Sequence, residues 1–123
     1  MKVHKIVNLI AFENTYILEN DHHVIVVDPG SDWRKIQRKL EEIAKPITAI
    51  LLTHTHYDHI MSLDKVRDNF ANPPVYVAES EASWLYTPTD NLSGLDRHAD
   101  LEDVILRPAE HYFTYHQDYQ LDD

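Results

Sequence analysis

An apolar run at residues 47–52 leads directly into a cluster of histidines. Its length and bounding residues fit a buried strand better than a helix. The heptapeptide that follows is Thr53-His54-Thr55-His56-Tyr57-Asp58-His59. Three imidazoles and a carboxylate thus lie within six residues at the carboxyl end of a predicted strand. This combination of residue types predicts a metal site.

The spacing of these side chains indicates how they could bind metal. His54 and His56 point to the same side of an extended segment, so both rings can reach one ion at the roughly 2.0–2.1 Å of zinc–nitrogen bonds. Asp58 and His59 come where the chain should turn into a helix, and we expect them to face a second ion. Paired ions about 3.5–4 Å apart lower the pKa of a shared water and generate hydroxide near neutral pH. Asp58 has a second candidate role, the steadying or deprotonation of that water.

Composition limits the metal and the partners. Cysteine is absent, so any metal must be bound by His, Asp or Glu, ligands that suit zinc, iron or manganese. The formal net charge of −10 repels nucleic-acid phosphates, so we expect a small-molecule substrate and no nucleic acid. No stretch approaches the roughly 18 apolar residues of a membrane span, and the N-terminus does not resemble a signal peptide. We therefore expect a cytoplasmic protein without membrane contact.

Apolar periodicity and turn residues predict alternating strands and helices along the chain. The predicted strands cover residues 3–10, 15–18, 24–27, 47–52, 75–78, 104–106 and 112–119. The predicted helices cover residues 33–44, 60–70 and 79–86. Ser31-Asp32 supplies capping side chains for the first helix, and residues 87–100 form the longest predicted loop.

The strand and its histidines resemble the signature of the metallo-β-lactamase superfamily. Asp28-Pro29-Gly30, which closes an apolar strand about 25 residues earlier, resembles the other N-terminal landmark of that family. Asn91-Leu92-Ser93 is similar to a segment of glyoxalase II-like members. The resemblance spans roughly residues 3–106. One departure is Ile60-Met61-Ser62, where family members commonly have glycines.

The resemblance implies an α/β (α+β) fold class, namely the N-terminal half of a four-layer αββα sandwich. Its sheet would be mixed and mostly antiparallel, with helices on one face. The usual chemistry of the family is metal-dependent hydrolysis of thioesters, lactams, lactones or phosphoesters. Residue by residue, His54 and His56 would bind the first metal, and Asp58 and His59 the second. One or two zinc ions are expected, and iron or manganese would also suit these ligands.

The remaining ligands of the family lie in a C-terminal half that this sequence does not contain. They are a His in a Gly-rich loop, a bridging Asp and a final His. We therefore interpret residues 1–123 as a single partial domain, the N-terminal part of a hydrolase, incomplete and inactive by itself. The uncovered inner face of its sheet is expected to associate, and two copies would pair face to face as a homodimer.

Other interpretations of the same residues stay open. The histidine run could be a polar loop that caps a helix, with Asp58 as the N-cap. Asp28 could be a turn former before proline, or a supporting residue that orients the metal loop. Besides an ester or thioester hydrolase, the chain could be a non-catalytic truncated paralogue that binds itself or a partner. A phosphodiesterase or ribonuclease is disfavoured by the net charge.

Overall fold

The computed structural model describes residues 1–94 and 102–114, and its first three strands form an antiparallel meander. These strands are β1 (Lys2–Val7), β2 (Asn14–Glu19) and β3 (Val24–Val27). The loop between β1 and β2 contains a 3₁₀ turn at Ile10–Phe12. The backbone N–H of Asn8 donates to Glu13 O (2.8 Å) and closes this loop. Strand β1 therefore ends before residue 10, the predicted boundary.

The later strands join the sheet in parallel. They are β4 (Ile47–Leu51), β5 (Val75–Ala78) and β6 (His111–Phe113), and the order β1 to β6 across the sheet follows the chain. The prediction of a mixed sheet is confirmed, but the expectation of a mostly antiparallel one is wrong. In the described ranges three of the five strand pairings are parallel. Parallel neighbours need crossover connections, which the helical segments after β3 and β4 supply.

Helix α1 (Trp33–Ile43) crosses between β3 and β4. Ile36 and Leu40 are buried, as the predicted helical face requires. Asp32 occupies the predicted N-cap position but does not cap the helix with its side chain. Its carboxylate instead accepts a hydrogen bond from the backbone N–H of Leu9 (3.1 Å), so it ties the β1–β2 loop to the start of α1.

The helix predicted at residues 60–70 is interrupted. The structure has α2 (Tyr57–Ile60) and α3 (Leu63–Asn69), separated by a turn at residues 61–62. Ser62 explains the break, because its backbone N–H donates to Pro29 O (3.0 Å) instead of to the preceding helical turn. No helix in the described ranges is long and apolar enough to span a bilayer.

Three predictions for the later segments need revision. The helix at Glu79–Tyr86 is a 3₁₀ helix, and α4 (Pro88–Asn91) forms within the predicted loop. Residues 104–106 are not a strand, because the backbone N–H of Leu106 donates to Leu85 O (2.8 Å) outside the sheet. The strand predicted at 112–119 begins one residue earlier, and its residues 115–119 lie outside the described ranges.

The Asn91-Leu92-Ser93 segment fastens this region to the body of the domain. The buried side-chain amide of Asn91 donates to Trp84 O (2.7 Å) and Val104 O (2.9 Å). Its carbonyl oxygen accepts from the hydroxyl of Ser93 (2.6 Å). Asn91 therefore has a structural role in the described part of the chain, holding the 3₁₀ helix against the segment around Val104.

The two faces of the sheet are covered unequally. Side chains on one face are fully buried together with apolar residues of α1 and α3. This buried face comprises Ile17, Val26, Ile50 and Val75. The opposite face, which we call the open face, is partly exposed along its length and comprises Tyr16, Leu18, Ile25, Val27, Leu51 and Tyr76. The alternation agrees with helices on one face, as the family resemblance implies.

Candidate metal centre

The histidine run lies at the carboxyl end of β4, between the ends of its two neighbouring strands. The backbone N–H of Leu52 donates to Tyr76 O (3.0 Å) on β5. On the other side the backbone N–H of Asp28, just after β3, donates to Leu51 O (3.0 Å). Hydrogen bonds to both neighbouring strands therefore fix the end of β4. The histidine run follows at the carboxyl ends of the parallel strands, which is where α/β proteins usually bind ligands.

His54 and His56 form the first donor pair, by which we mean a pair of side chains whose atoms could donate to a metal ion. His54 Nε2 and His56 Nδ1 are in hydrogen-bond contact, and the ring centroids are 3.9 Å apart. Trp84 of the 3₁₀ helix stacks on the His56 ring at 5.4 Å between centroids. Burial and then the neighbouring His54 lower the pKa of His56 below its usual value. Both effects favour a neutral imidazole, the form that binds metal.

Asp58 and His59 form the second donor pair at the start of α2. Asp58 Oδ2 lies 3.5 Å from His59 Nε2. The N-cap of α2 is His56, so the interpretation of Asp58 as the N-cap residue is wrong. The second pair lies close to the first, since the ring centroids of His54 and His59 are 5.3 Å apart. The structure thus brings together all four residues predicted as ligands, and their role as ligands stays a prediction.

Asp28 contacts the second pair through His59. It is buried, with a left-handed backbone (φ 52°) that Asp adopts more readily than most residues. One carboxylate oxygen accepts from the backbone N–H of Thr53 (2.8 Å), and the other contacts the Thr53 hydroxyl and His59 Nδ1 (3.1 Å). Burial alone would lower the pKa of His59, but the hydrogen bond and charge of Asp28, together with the charges of Asp58 and Glu81, outweigh burial and raise that pKa. The supporting role of Asp28 stays a prediction, and these contacts are its physical basis.

Glu13 is a residue of the site that the sequence did not indicate. Its Oε2 accepts a hydrogen bond from the Asn8 side chain (2.8 Å), whereas its Oε1 is buried without a hydrogen-bond partner in the described ranges. Burial, followed by the charges of Asp28 and Asp58, raises the pKa of Glu13 to about 9. Glu13, Asp28 and His59 offer ligand atoms within 4.8 Å of one another. The only signal was an acid in a short turn between two strands.

Glu81 is the second unpredicted residue, and it contacts the first pair. Its Oε1 accepts hydrogen bonds from the backbone N–H (2.9 Å) and the hydroxyl (2.8 Å) of Thr55. The same oxygen lies 3.3 Å from His54 Nδ1. Glu81 belongs to the 3₁₀ helix directly after β5, and its position just beyond a strand end is the sequence signal that points to it.

An open cavity of about 410 Å³ adjoins the second donor pair. Glu13, Asp28, Asp58 and His59 line its polar side, and Phe12 contributes to its apolar side. Phe12 itself is exposed and has a left-handed backbone (φ 50°). The cavity is large enough for a small organic molecule next to the predicted metal ligands.

The donor set fits one or two divalent metal ions. In each pair two donor atoms from neighbouring residues converge, His54 Nε2 with His56 Nδ1 and His59 Nε2 with Asp58. The opposite nitrogens of His54 and His59 lie against the carboxylates of Glu81 and Asp28. Carboxylates in this place orient histidines that bind metal and fix which ring nitrogen carries the proton. Nitrogen and oxygen donors suit zinc, iron and manganese alike.

Comparisons with known proteins give a consistent picture. The sequence profile of the metallo-beta-lactamase superfamily matches residues 11–120. A probable metallo-hydrolase of Streptococcus pyogenes serotype M6 is 60% identical over 121 residues, covering 98% of this chain and 52% of that protein. A hydroxyacylglutathione hydrolase of Photobacterium profundum is 39% identical over 74 residues, covering 58% of this chain and 29% of that protein.

Among solved structures, the B3 metallo-beta-lactamase BLEG-1 superimposes with a TM-score of 0.81 and 33% sequence identity. The match covers 94% of this chain and 55% of that protein. The chain therefore spans about half the length of the relatives it matches.

Proposed function

Because the chain belongs to the metallo-β-lactamase superfamily, we propose that it is the N-terminal part of a zinc-dependent hydrolase of esters or thioesters. The observation that carries this proposal is the convergence of two donor pairs at one strand end. Each pair includes a histidine whose far nitrogen lies against a carboxylate. A polar loop without a metal role has no need for both features.

Each donor has a proposed role. His54 and His56 hold the first zinc ion, and Asp58 and His59 hold the second. Bound zinc supplies Lewis-acid chemistry, which lowers the pKa of water and polarises a carbonyl. Asp58 also steadies or accepts a proton from the attacking water, because it faces the cavity. Asp28 keeps the His59 proton on Nδ1, so that Nε2 is free to bind metal.

The cavity and the relatives support the proposed substrate class. A cavity of about 410 Å³ suits a small molecule rather than a polymer. One relative is named for the hydrolysis of hydroxyacylglutathione, a thioester. The net charge of −10 argues against a phosphate backbone as substrate, so nucleic-acid cleavage remains disfavoured.

Zinc titration by calorimetry tests the proposal on the chain itself. Replacement of His56 by Ala removes one donor of the first pair and should weaken zinc binding by more than the roughly 10–100-fold that loss of an outer partner costs. His22→Ala is a matched control, because His22 is an exposed turn residue. In a protein that carries the remaining ligands, His56→Ala should also abolish zinc-dependent esterase or thioesterase activity. Equal zinc affinity and activity in both variants would refute the assignment.

We further propose that the open face mediates self-association when no second layer covers it. The observation that favours this is that exposed apolar side chains of β1 continue that face: Val3 (57%), which pairs with Leu18, and Val7 (44%). An uncovered apolar sheet face of this kind is an association surface. Light scattering after size exclusion should find a dimer that Val7→Lys weakens, with Leu9→Lys in the exposed loop as the control. A monomer at all concentrations would exclude the homodimer.

A further inference from the structure

We propose that Glu81 is a positioning residue that fixes the proton of His54 on Nδ1 and thereby presents Nε2 to the metal. The inference rests on the proposed function, since it assigns Glu81 a role in the same metal centre. It goes beyond that function because Glu81 lies outside the histidine run and reaches the centre from a separate 3₁₀ helix.

The first step is the attachment of Glu81 to the loop between the two histidines. Thr55 is fully buried, and both its backbone N–H and its hydroxyl donate to Glu81 Oε1. The Glu81 carboxylate therefore has a defined position, set by two short hydrogen bonds of 2.9 and 2.8 Å. A carboxylate held in this way presents a fixed negative charge to its other neighbours.

The second step concerns the ring of His54. Its Nδ1 lies 3.3 Å from Glu81 Oε1. A nitrogen lone pair facing an anionic oxygen at this distance is repelled, whereas an N–H is attracted. The proton of neutral His54 therefore resides on Nδ1, and the lone pair of Nε2 faces His56 Nδ1, where the first pair of donors converges.

The third step is that Asp28 and His59 repeat the arrangement of Glu81 and His54. Asp28 accepts hydrogen bonds from the backbone N–H and the hydroxyl of Thr53, and its second contact is with His59 Nδ1. Glu81 has the corresponding contacts with Thr55 and His54. Each carboxylate thus combines an anchor on a threonine with a contact to Nδ1 of a predicted ligand. Such a combination is the arrangement expected of residues that orient metal-binding histidines.

Long-range ¹H–¹⁵N NMR correlation of the metal-free chain tests the inference directly, because it reports which ring nitrogen of His54 carries the proton. We expect the Nδ1–H tautomer in the unmodified chain and a mixture of both tautomers in Glu81→Gln. Glu79→Gln is the matched control, since Glu79 is exposed on the same 3₁₀ helix, and it should leave the tautomer unchanged. Thr55→Val removes a hydroxyl anchor but keeps the His54 contact, so it should also retain Nδ1–H.

Zinc titration of the same variants supplies the second readout. Glu81→Gln should weaken zinc binding by roughly 10–100-fold, whereas Glu79→Gln should not. An Nε2–H tautomer of His54 in the unmodified chain would overturn the inference without any variant. An unchanged tautomer in Glu81→Gln would overturn it as well, even if zinc binds. A chain that shows the expected tautomers but binds no zinc would contradict the proposed function and leave the role of Glu81 in orienting His54 supported.

Discussion

The buried face and the open face of the sheet show two different states of the same strands. Ile50 and Leu51 are neighbours in β4, yet Ile50 is fully buried against the helices and Leu51 is partly exposed. The same contrast appears in β3, where Val26 is buried and Val27 is partly exposed. Because successive side chains of a strand point to opposite faces, one apolar run supplies both surfaces.

The two faces therefore have different roles. The buried face stabilises the domain, and the open face remains available for association. Burial of apolar surface contributes roughly 25 cal/mol per Å², so the helix-covered face contributes most of the hydrophobic stabilisation. The open face contributes less until a second layer covers it. An apolar run on both faces, as in Val24–Val27, is typical of a strand covered on both sides.

The strongest test of the contrast compares alanine substitutions at the two neighbours in β4. Ile50→Ala should lower the free energy of unfolding by about 2–5 kcal/mol, because it leaves a cavity in a packed core. Leu51→Ala should cost about 1 kcal/mol or less in a monomer. Urea denaturation of both variants measures the two values. Equal costs at high protein concentration that diverge on dilution would show that a second copy covers the open face.

A polar anchor on the buried side gives a second test. Arg67 of α3 is 2% exposed, and its guanidinium donates to the backbone oxygens of Arg107 (2.8 Å) and Pro108. Arg67→Met keeps much of the side-chain volume but removes these donors. Since hydrogen bonds from a charged group contribute about 1.5–3 kcal/mol, we expect a loss of roughly this size, measured by urea denaturation.

The exposed Arg34 on α1 provides the control, because Arg34→Met removes a cation without removing a buried hydrogen bond. It should change the free energy of unfolding by less than about 0.5 kcal/mol. A similar effect of both substitutions would mean that the buried side is stabilised by apolar contacts alone and that Arg67 adds nothing specific.

Local patterns predicted the elements that depend on neighbouring residues. The apolar runs that became β3, β4 and β5 and the amphipathic helix α1 lie within a residue or two of their predicted bounds. The histidine run was placed correctly at the end of β4, because a strand pattern followed by polar residues is itself local. The α/β class and family were predictable for the same reason.

Features that depend on distant residues could not be predicted from local patterns. The break after α2 arises from a hydrogen bond between Ser62 and Pro29, which are far apart in sequence. Glu81 reaches the site because β5 lies beside β4, and Glu13 reaches it because the β1–β2 loop brings Glu13 Oε1 within 3.6 Å of His59 Nδ1. The sequence offers only weak signals for these two acids: Glu13 lies in a short turn between strands, and Glu81 lies just beyond a strand end. The candidate ligands and Asp28 were therefore identifiable from the sequence, and Glu13 and Glu81 were not.

The smallest predicted effect on stability concerns Glu19. Its side chain lies on the same face of β2 as Ile17, at an end of that face where polar contacts replace the apolar core. Lys45 Nζ and His4 Nε2 each lie 2.7 Å from its carboxylate oxygens. The hydrogen bond from Lys45, then that from His4, lowers the pKa of Glu19 to about 2, from an ordinary value of 4.5. The ionised carboxylate therefore favours the folded state.

Because the folded-state pKa is depressed, the stabilisation by Glu19 is complete above pH 4.5 and is lost as the pH falls towards 2. Thermal unfolding should show a higher melting temperature for the unmodified chain than for Glu19→Gln at pH 6, with the difference shrinking steadily below pH 4.5. Glu41→Gln, at an exposed site of α1, should follow the unmodified chain at every pH. A difference in melting temperature that stays constant down to pH 2.5 would show that the charge of Glu19 does not contribute. The polar end of the buried side would then stabilise the fold by packing, as its apolar centre does.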